Sequence, residues 1–166
     1  MNTAIINSDS YEKHDTGDGH PEQPKRVIAI KEKLKKRNDL IWETPVSVPD
    51  DILAMTHSKE YIENLNNSFP QKGLKFLDGD TVVSPDSKKA IFDAAGSTIR
   101  AIDGIENNQF KNAFCLARPP GHHAEKNKAM GFCCISNAGV ATNYLINKYK
   151  YKRIACVDFD VHWGNG

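Results

Sequence analysis

The chain has 166 residues, 39% of them hydrophobic, with 22 basic and 21 acidic side chains and a formal net charge of +1. That length calls for one domain with an ordinary core. The charge balance excludes a standing pull toward nucleic acid, and no apolar run approaches membrane-spanning length. The first residues do not read as a signal peptide. Four cysteines, Cys115, Cys133, Cys134 and Cys156, lie in apolar surroundings without a C-x-x-C spacing. They read as buried free thiols of a cytoplasmic protein, not as a zinc ribbon or a disulfide framework.

In chain order, residues 3–6 form a brief apolar run that predicts a first strand. Residues 8–23, rich in turn formers and charge, read as a surface loop carrying His14 and His20. Pro24 suits the first turn of a helix, and Val27, Ile30 and Leu34 recur at helical spacing to about Arg37. The charges from Lys31 to Arg37 are its solvated face. Asn38-Asp39 ends it, and Pro45 and Pro49 mark a connector. Asp50 is placed to cap a short helix through Ile52, Leu53 and Met55; Ser58 is placed to cap another with Tyr61, Ile62 and Leu65 on one face. His57, just before that cap, reads as a packing or capping histidine.

Residues 69–86 read as a longer loop, whose Asp78, Asp80 and Asp86 lack calcium-loop spacing. A helix is predicted from Ser87, with Ile91, Ala94, Ala95, Ile99 and Ile102 as its inner stripe and Gly104 and Asn107-Asn108 at its close. Residues 112–117 predict a buried strand that feeds into Arg118-Pro119-Pro120-Gly121-His122-His123-Ala124. The prolines and glycine force a non-helical turn there. Another helix runs from near Asn137 through Val140, Ala141, Tyr144 and Leu145 to Tyr149, and residues 151–157 predict the next strand. Strand, helix, strand makes a right-handed βαβ unit, so the sheet should be parallel.

The chemistry concentrates at two turns. Asp158, Asp160 and His162 fall at i, i+2 and i+4 after the last apolar run, which places them on one face at the carboxyl end of a strand. Carboxylate oxygen and imidazole nitrogen together suit a divalent transition metal. A histidine pair alone is weak evidence, since such rings also pack or cap. Here His122-His123 and Asp158-x-Asp160-x-His162 converge on the same edge of one predicted sheet. Asp160 and His162 are the better metal ligands, and Asp158, deeper in the strand, is placed to orient a histidine base.

Arg118-Pro-Pro-Gly-His-His-Ala124, Gly131-Phe132-Cys133 and Asp158-Phe-Asp-Val-His-Trp-Gly-Asn-Gly166 resemble the zinc-dependent histone deacetylase family, with its bacterial acetylpolyamine amidohydrolase and acetoin-utilisation relatives. His14-x-x-Gly17-x-x-His20-Pro-Glu-x-Pro-x-Arg26 is similar to the N-terminal signature of the class II and bacterial branches; Asp80-Thr-x-x-Ser84-Pro-x-Ser87 and His57-x-x-x-Tyr61 also fit. The resemblance implies an arginase-like, three-layer α/β fold with a parallel sheet. It implies hydrolysis of acetyl-amides, with acetyl-lysine or a small acetyl-amide as substrate.

By the same resemblance His122 and His123 handle the protons of the water and the leaving amine, and Asp160 and His162 are two of three zinc ligands. Asp158 stands behind His122 and helps hold a structural potassium ion, while Phe132 and Gly131 wall the acyl channel. The family's third ligand, an aspartate, and its carbonyl-binding tyrosine have no counterpart in these 166 residues. The expectation is that residues 1–166 are the N-terminal part of a single, apparently truncated deacetylase domain. A partial sheet leaves an unpaired edge, so oligomers are open. Trp163 stands where a second histidine is usual, and Ser136 where an asparagine is common. The alternatives are an inactive, deacetylase-like binding remnant, and a two-metal ureohydrolase of the same fold.

Overall fold

The computed structural model describes residues 2–166. Thr3–Ile6 forms β1, followed by a one-turn helix α1 at Ser10–Lys13 and the helix α2 at Lys25–Leu34. Leu40–Glu43 is β2; Asp50–Thr56 is α3 and Lys59–Asn66 is α4. Lys75–Phe76 and Val82–Val83 make a small hairpin, β3 and β4. The long helix α5 spans Ser87–Glu106, β5 spans Asn112–Cys115, and α6 spans Asn137–Tyr149.

The main sheet has the order β2-β1-β5, and all its strands are parallel, as expected for a βαβ architecture. Thr3 aligns with Leu40 on one side and with Asn112 on the other. β1 is the central strand, and its alternation assigns its side chains. Ile5 joins a cluster with Tyr11, Val27, Ala90 and Ala94 on one face, while Ala4 and Ile6 join Ala101 and Phe110 on the other.

Helix α5 carries two apolar faces. Ala90, Ala94 and Ala101 pack toward the sheet side. Ile91, Ala95 and Ile99 join Ile52 and Leu53 of α3, Tyr61 and Leu65 of α4, and Val140 and Tyr144 of α6. Small residues on the sheet side let the helix approach closely; larger ones fill the far side. Gly96 shows how close: a Cβ there would stand 1.9 Å from the carbonyl oxygen of Val46. Ser58 caps α4 by accepting from the Tyr61 N–H, and Ser136 caps α6 by accepting from the Gly139 N–H.

Several expectations are corrected. Residues 40–43 pair as β2 where the prolines had suggested only a connector. Part of the 69–86 loop folds into the β3–β4 hairpin. Asp50 opens α3 as its first helical residue, with Pro49 in the capping position. The 8–23 segment is no plain surface loop: Tyr11, His14, Thr16 and Glu22 are all buried. Cys133 and Cys134 are buried as expected, but Cys156 is exposed.

The largest correction is the final strand. Residues 151–157 form no strand, and Val157, Phe159, Val161 and Trp163 are 82–96% exposed. A strand exists only when a neighbour answers its N–H and C=O groups and a layer covers its apolar side chains. Neither reaches this run, so β5 keeps an open edge. Asp158 is accordingly exposed, not buried deep in a strand.

Candidate functional site

The His-His turn begins just past β5, at the carboxyl edge of the sheet. The Leu116 N–H still donates to Ile6 O, and the chain then turns through Pro119, Pro120 and Gly121. Gly121 is wedged in place: a Cβ on it would meet Asn137 N at 2.6 Å and Ile135 O at 2.7 Å. His122 and His123 project side by side and half-buried, their rings 4.1 Å apart.

The C-terminal segment returns to this turn without forming a strand. His122 Nδ1 lies 2.9 Å from Asp158 Oδ2, and the Gly166 N–H donates to His122 O at 2.8 Å. His123 Nδ1 lies 2.7 Å from Asn165 Oδ1, and the Asn165 amide donates in turn to Glu125 at 2.7 Å. Each acceptor oxygen selects an Nδ1–H ring, which leaves Nε2 of both histidines available as a base. Asp158 is held below the usual carboxylate range, first by the Asp160 N–H and then by the His122 ring. Asp160 is held low likewise by the His162 N–H and ring.

Asp160 Oδ2 and His162 Nδ1 stand 3.0 Å apart. Two donors on a tetrahedral zinc ion, at bond lengths of about 2.0 Å, are separated by roughly 3.3 Å. The donor chemistry and spacing of this pair therefore fit one edge of such a site. Among the described residues no third His, Cys, Asp or Glu completes it. The His162 ring lies 6.0 Å from that of His123.

One cavity of about 500 Å³ gathers these groups: His122, His123, Gly131, Phe132, Asp160 and His162 line it, with Glu22 and Arg26 from the N-terminal loop and α2. A larger cavity of about 620 Å³ lies elsewhere, between Asn7, Trp42 and Asp93, and holds none of the histidines. Gly131 and Phe132 form a tight turn between Met130 and Cys133, with φ values of +56° and +69°. Two consecutive positive φ values are the type I′ pattern, which is uncommon for an aromatic residue. The turn is pinned by the Phe132 N–H donating to Thr81 Oγ1 at 3.0 Å and by the His20 ring, edge-on at 4.8 Å. Phe132 is thereby held against the mouth of the cavity.

His57 and His14 are framework residues. His57 is fully buried: its Nδ1–H donates to Glu125 O and its Nε2 accepts from the Ser136 N–H. Burial pushes its pKa down, in keeping with a neutral packing histidine. His14 Nδ1 lies 2.6 Å from Ser87 Oγ. Burial first, then Arg118 and His20, push His14 down to about 3.

Sequence reasoning quoted Asn165, Thr81 and Glu22 within motifs but gave none of them a role. Asn165 could have been read from its place between two glycines at the end of the Asp-His motif. Thr81 and Glu22 stood in the sequence as members of the family-like motifs, but their roles gave no local sign, because their partners lie 51 and 96 residues away. Trp163 is 87% exposed and packs on nothing beside the site, and Ser136 serves as a helix cap.

Comparison with known proteins agrees with this fold. The histone deacetylase domain model matches residues 20–166. The chain is 41% identical to the uncharacterised protein slr0245 of Synechocystis sp., over 98% of this chain and 55% of that protein. It is 31% identical to a probable deacetylase of Archaeoglobus fulgidus, over 100% of this chain and 47% of that one. The crystal structure of the HDA15 HD domain superposes with a TM-score of 0.77 at 30% identity, covering 84% of this chain and 42% of that one. The chain therefore belongs to the histone deacetylase family and has its arginase/deacetylase-like α/β fold. It spans about half the length of these relatives.

Proposed function

We propose that the protein is a zinc-dependent amidohydrolase that removes acetyl groups from acetyl-lysine or acetylpolyamine-type amides. Residues 1–166 are, on this reading, the N-terminal part of its single catalytic domain. The observation that carries the reading is the convergence on one cavity of two base-competent histidines, a paired carboxylate donor and imidazole donor, and an aromatic wall. Family membership supports the class of reaction.

His122 takes the proton of the attacking water at Nε2, with Asp158 fixing its tautomer through Nδ1. The leaving amine takes up a proton in return, and His123, held at Nδ1 by Asn165, supplies it from Nε2 after that nitrogen has first gained one. Phe132 and the Gly131 turn flank the acyl chain and exclude water from it. Asp160 and His162 would hold the zinc ion, whose contribution when bound is to polarise the amide carbonyl and lower the pKa of water. Asp158 is also the residue to which a structural potassium ion is assigned by resemblance.

The test is acetate release from acetyl-lysine peptides and acetylpolyamines by the full-length protein, with and without chelator. Release should be chelator-sensitive, and Asp158→Asn should lower kcat roughly 100-fold, the scale of a disabled general base. No release from wild-type protein, on any of these substrates with zinc present, would instead favour an inactive, deacetylase-like binding protein.

A further inference from the structure

The N-terminal loop and the His-His turn meet at a buried ion pair that the proposed chemistry does not use. Arg118, the first residue of the turn, is fully buried. Its Nε donates to Glu22 Oε1 at 2.7 Å, its Nη1 to Tyr11 O at 2.6 Å, and its Nη2 to Glu22 O at 3.4 Å. Glu22 is 2% exposed; Thr16 Oγ1 donates to its carbonyl at 2.5 Å, and Arg26 Nη1 donates to its Oε1 at 3.2 Å. Its other oxygen, Oε2, has no hydrogen-bond partner and faces His14 Nε2 at 3.7 Å.

We propose that Glu22 and Arg118 are positioning residues that set where the His122 and His123 rings stand, so that the N-terminal loop governs the turn's geometry. The inference rests on the deacetylase reading for its kinetic consequence, but not for its structural one. A buried ion pair contributes little net stability compared with apolar groups of the same volume, so stability alone is a weak reason for one here. Its location supplies the reason. The guanidinium is a rigid planar fork, and three bonds fix its orientation. Pro119 and Pro120 have restricted φ, so they carry that orientation stiffly to Gly121. Gly121 is lodged against Ile135 O and Asn137 N, which anchors the far end. His122 and His123 follow immediately. Glu22 itself lines the cavity that they line.

The experiment uses the full-length protein with Glu22→Gln, which keeps the size and one acceptor oxygen while removing the charge. The ring resonances of His122 and His123 are read by ¹H–¹⁵N correlation, alongside kcat and KM on an acetyl-lysine peptide. The expected result is a shift of both ring signals and a fall in kcat of about tenfold or more with KM within about twofold, as for displaced reacting groups. A folded Glu22→Gln protein with wild-type ring signals, or with shifted signals and wild-type kcat, would overturn the proposal. If that variant does not fold, Thr16→Val decides, since it removes only the hydroxyl that holds the Glu22 carbonyl. Shifted rings support the coupling and unchanged rings overturn it. If wild-type protein and His122→Ala both lack chelator-sensitive acetate release, the deacetylase reading fails, and the ring signals alone decide whether Glu22 positions the turn.

Discussion

His14 and Gly131 show how single residues constrain this site from outside it. His14 is buried and neutral, with its folded pKa pushed down to about 3 from 6.5. The unfolded chain thus binds one more proton than the native one between those values, so stability is complete above the upper value and declines as pH falls through the window. Its contribution between pH 6.5 and about pH 5 is a loss of about 2 kcal/mol, and His57, also shifted down, acts in the same direction. Urea unfolding across this range should show the decline, and His14→Asn should flatten it. Gly131 combines φ of +56° with contact to a catalytic candidate: a Cβ there would stand 2.5 Å from the His123 ring. Gly131→Ala should therefore displace that ring and lower kcat at least tenfold, with a stability loss of about 1–3 kcal/mol by thermal unfolding. Wild-type kcat in this variant would show that the turn tolerates the clash and does not position His123.

At the scale of elements, helices were easier to read than strands. The α5 and α6 boundaries follow from periodic apolar residues and local caps, which are properties of a short stretch of chain. β2 was hidden because Leu40, Ile41 and Trp42 sit between turn formers, and only pairing with β1 makes them a strand. Residues 151–157 fail in the opposite way, having a strand-like composition and no partner. The role of Gly96 was also illegible, since the Val46 carbonyl that crowds it comes from a connector 50 residues earlier. Gly96→Ala would drive a methyl group into that carbonyl. It should destabilise the fold by about 1–3 kcal/mol in spite of the better helix propensity of alanine, which denaturant melts would measure. An unchanged or raised midpoint would mean that the connector moves aside freely.

For the whole molecule, the exposed segment and the open sheet edge have one shared consequence. Val157, Phe159, Val161 and Trp163 alternate with Asp158, Asp160 and His162, so the chain turns its polar side to the histidines and its apolar side to water. Beside the open edge of β5, Phe114 is 47% exposed. Such surfaces promote association. Residues 1–166 should self-associate with rising concentration in sedimentation velocity, and Phe159→Lys with Trp163→Lys should reverse it. A monomer at all concentrations would show that this apolar surface is too divided to bind.

The sequence by itself determined the family motifs, the helices other than α1, the parallel character of the sheet, and the two chemical turns that would meet at one edge. Those signals are local: periodicity, capping residues, and short spacings of histidine and aspartate. Only the tertiary structure decided which partners the turns received. It set Asp158 against His122 and Asn165 against His123, and it buried Arg118 on Glu22 behind them. It also left residues 151–157 without a ladder. Each of these depends on groups far apart in the chain, whose distance is set by packing between elements and not by any property of either stretch alone.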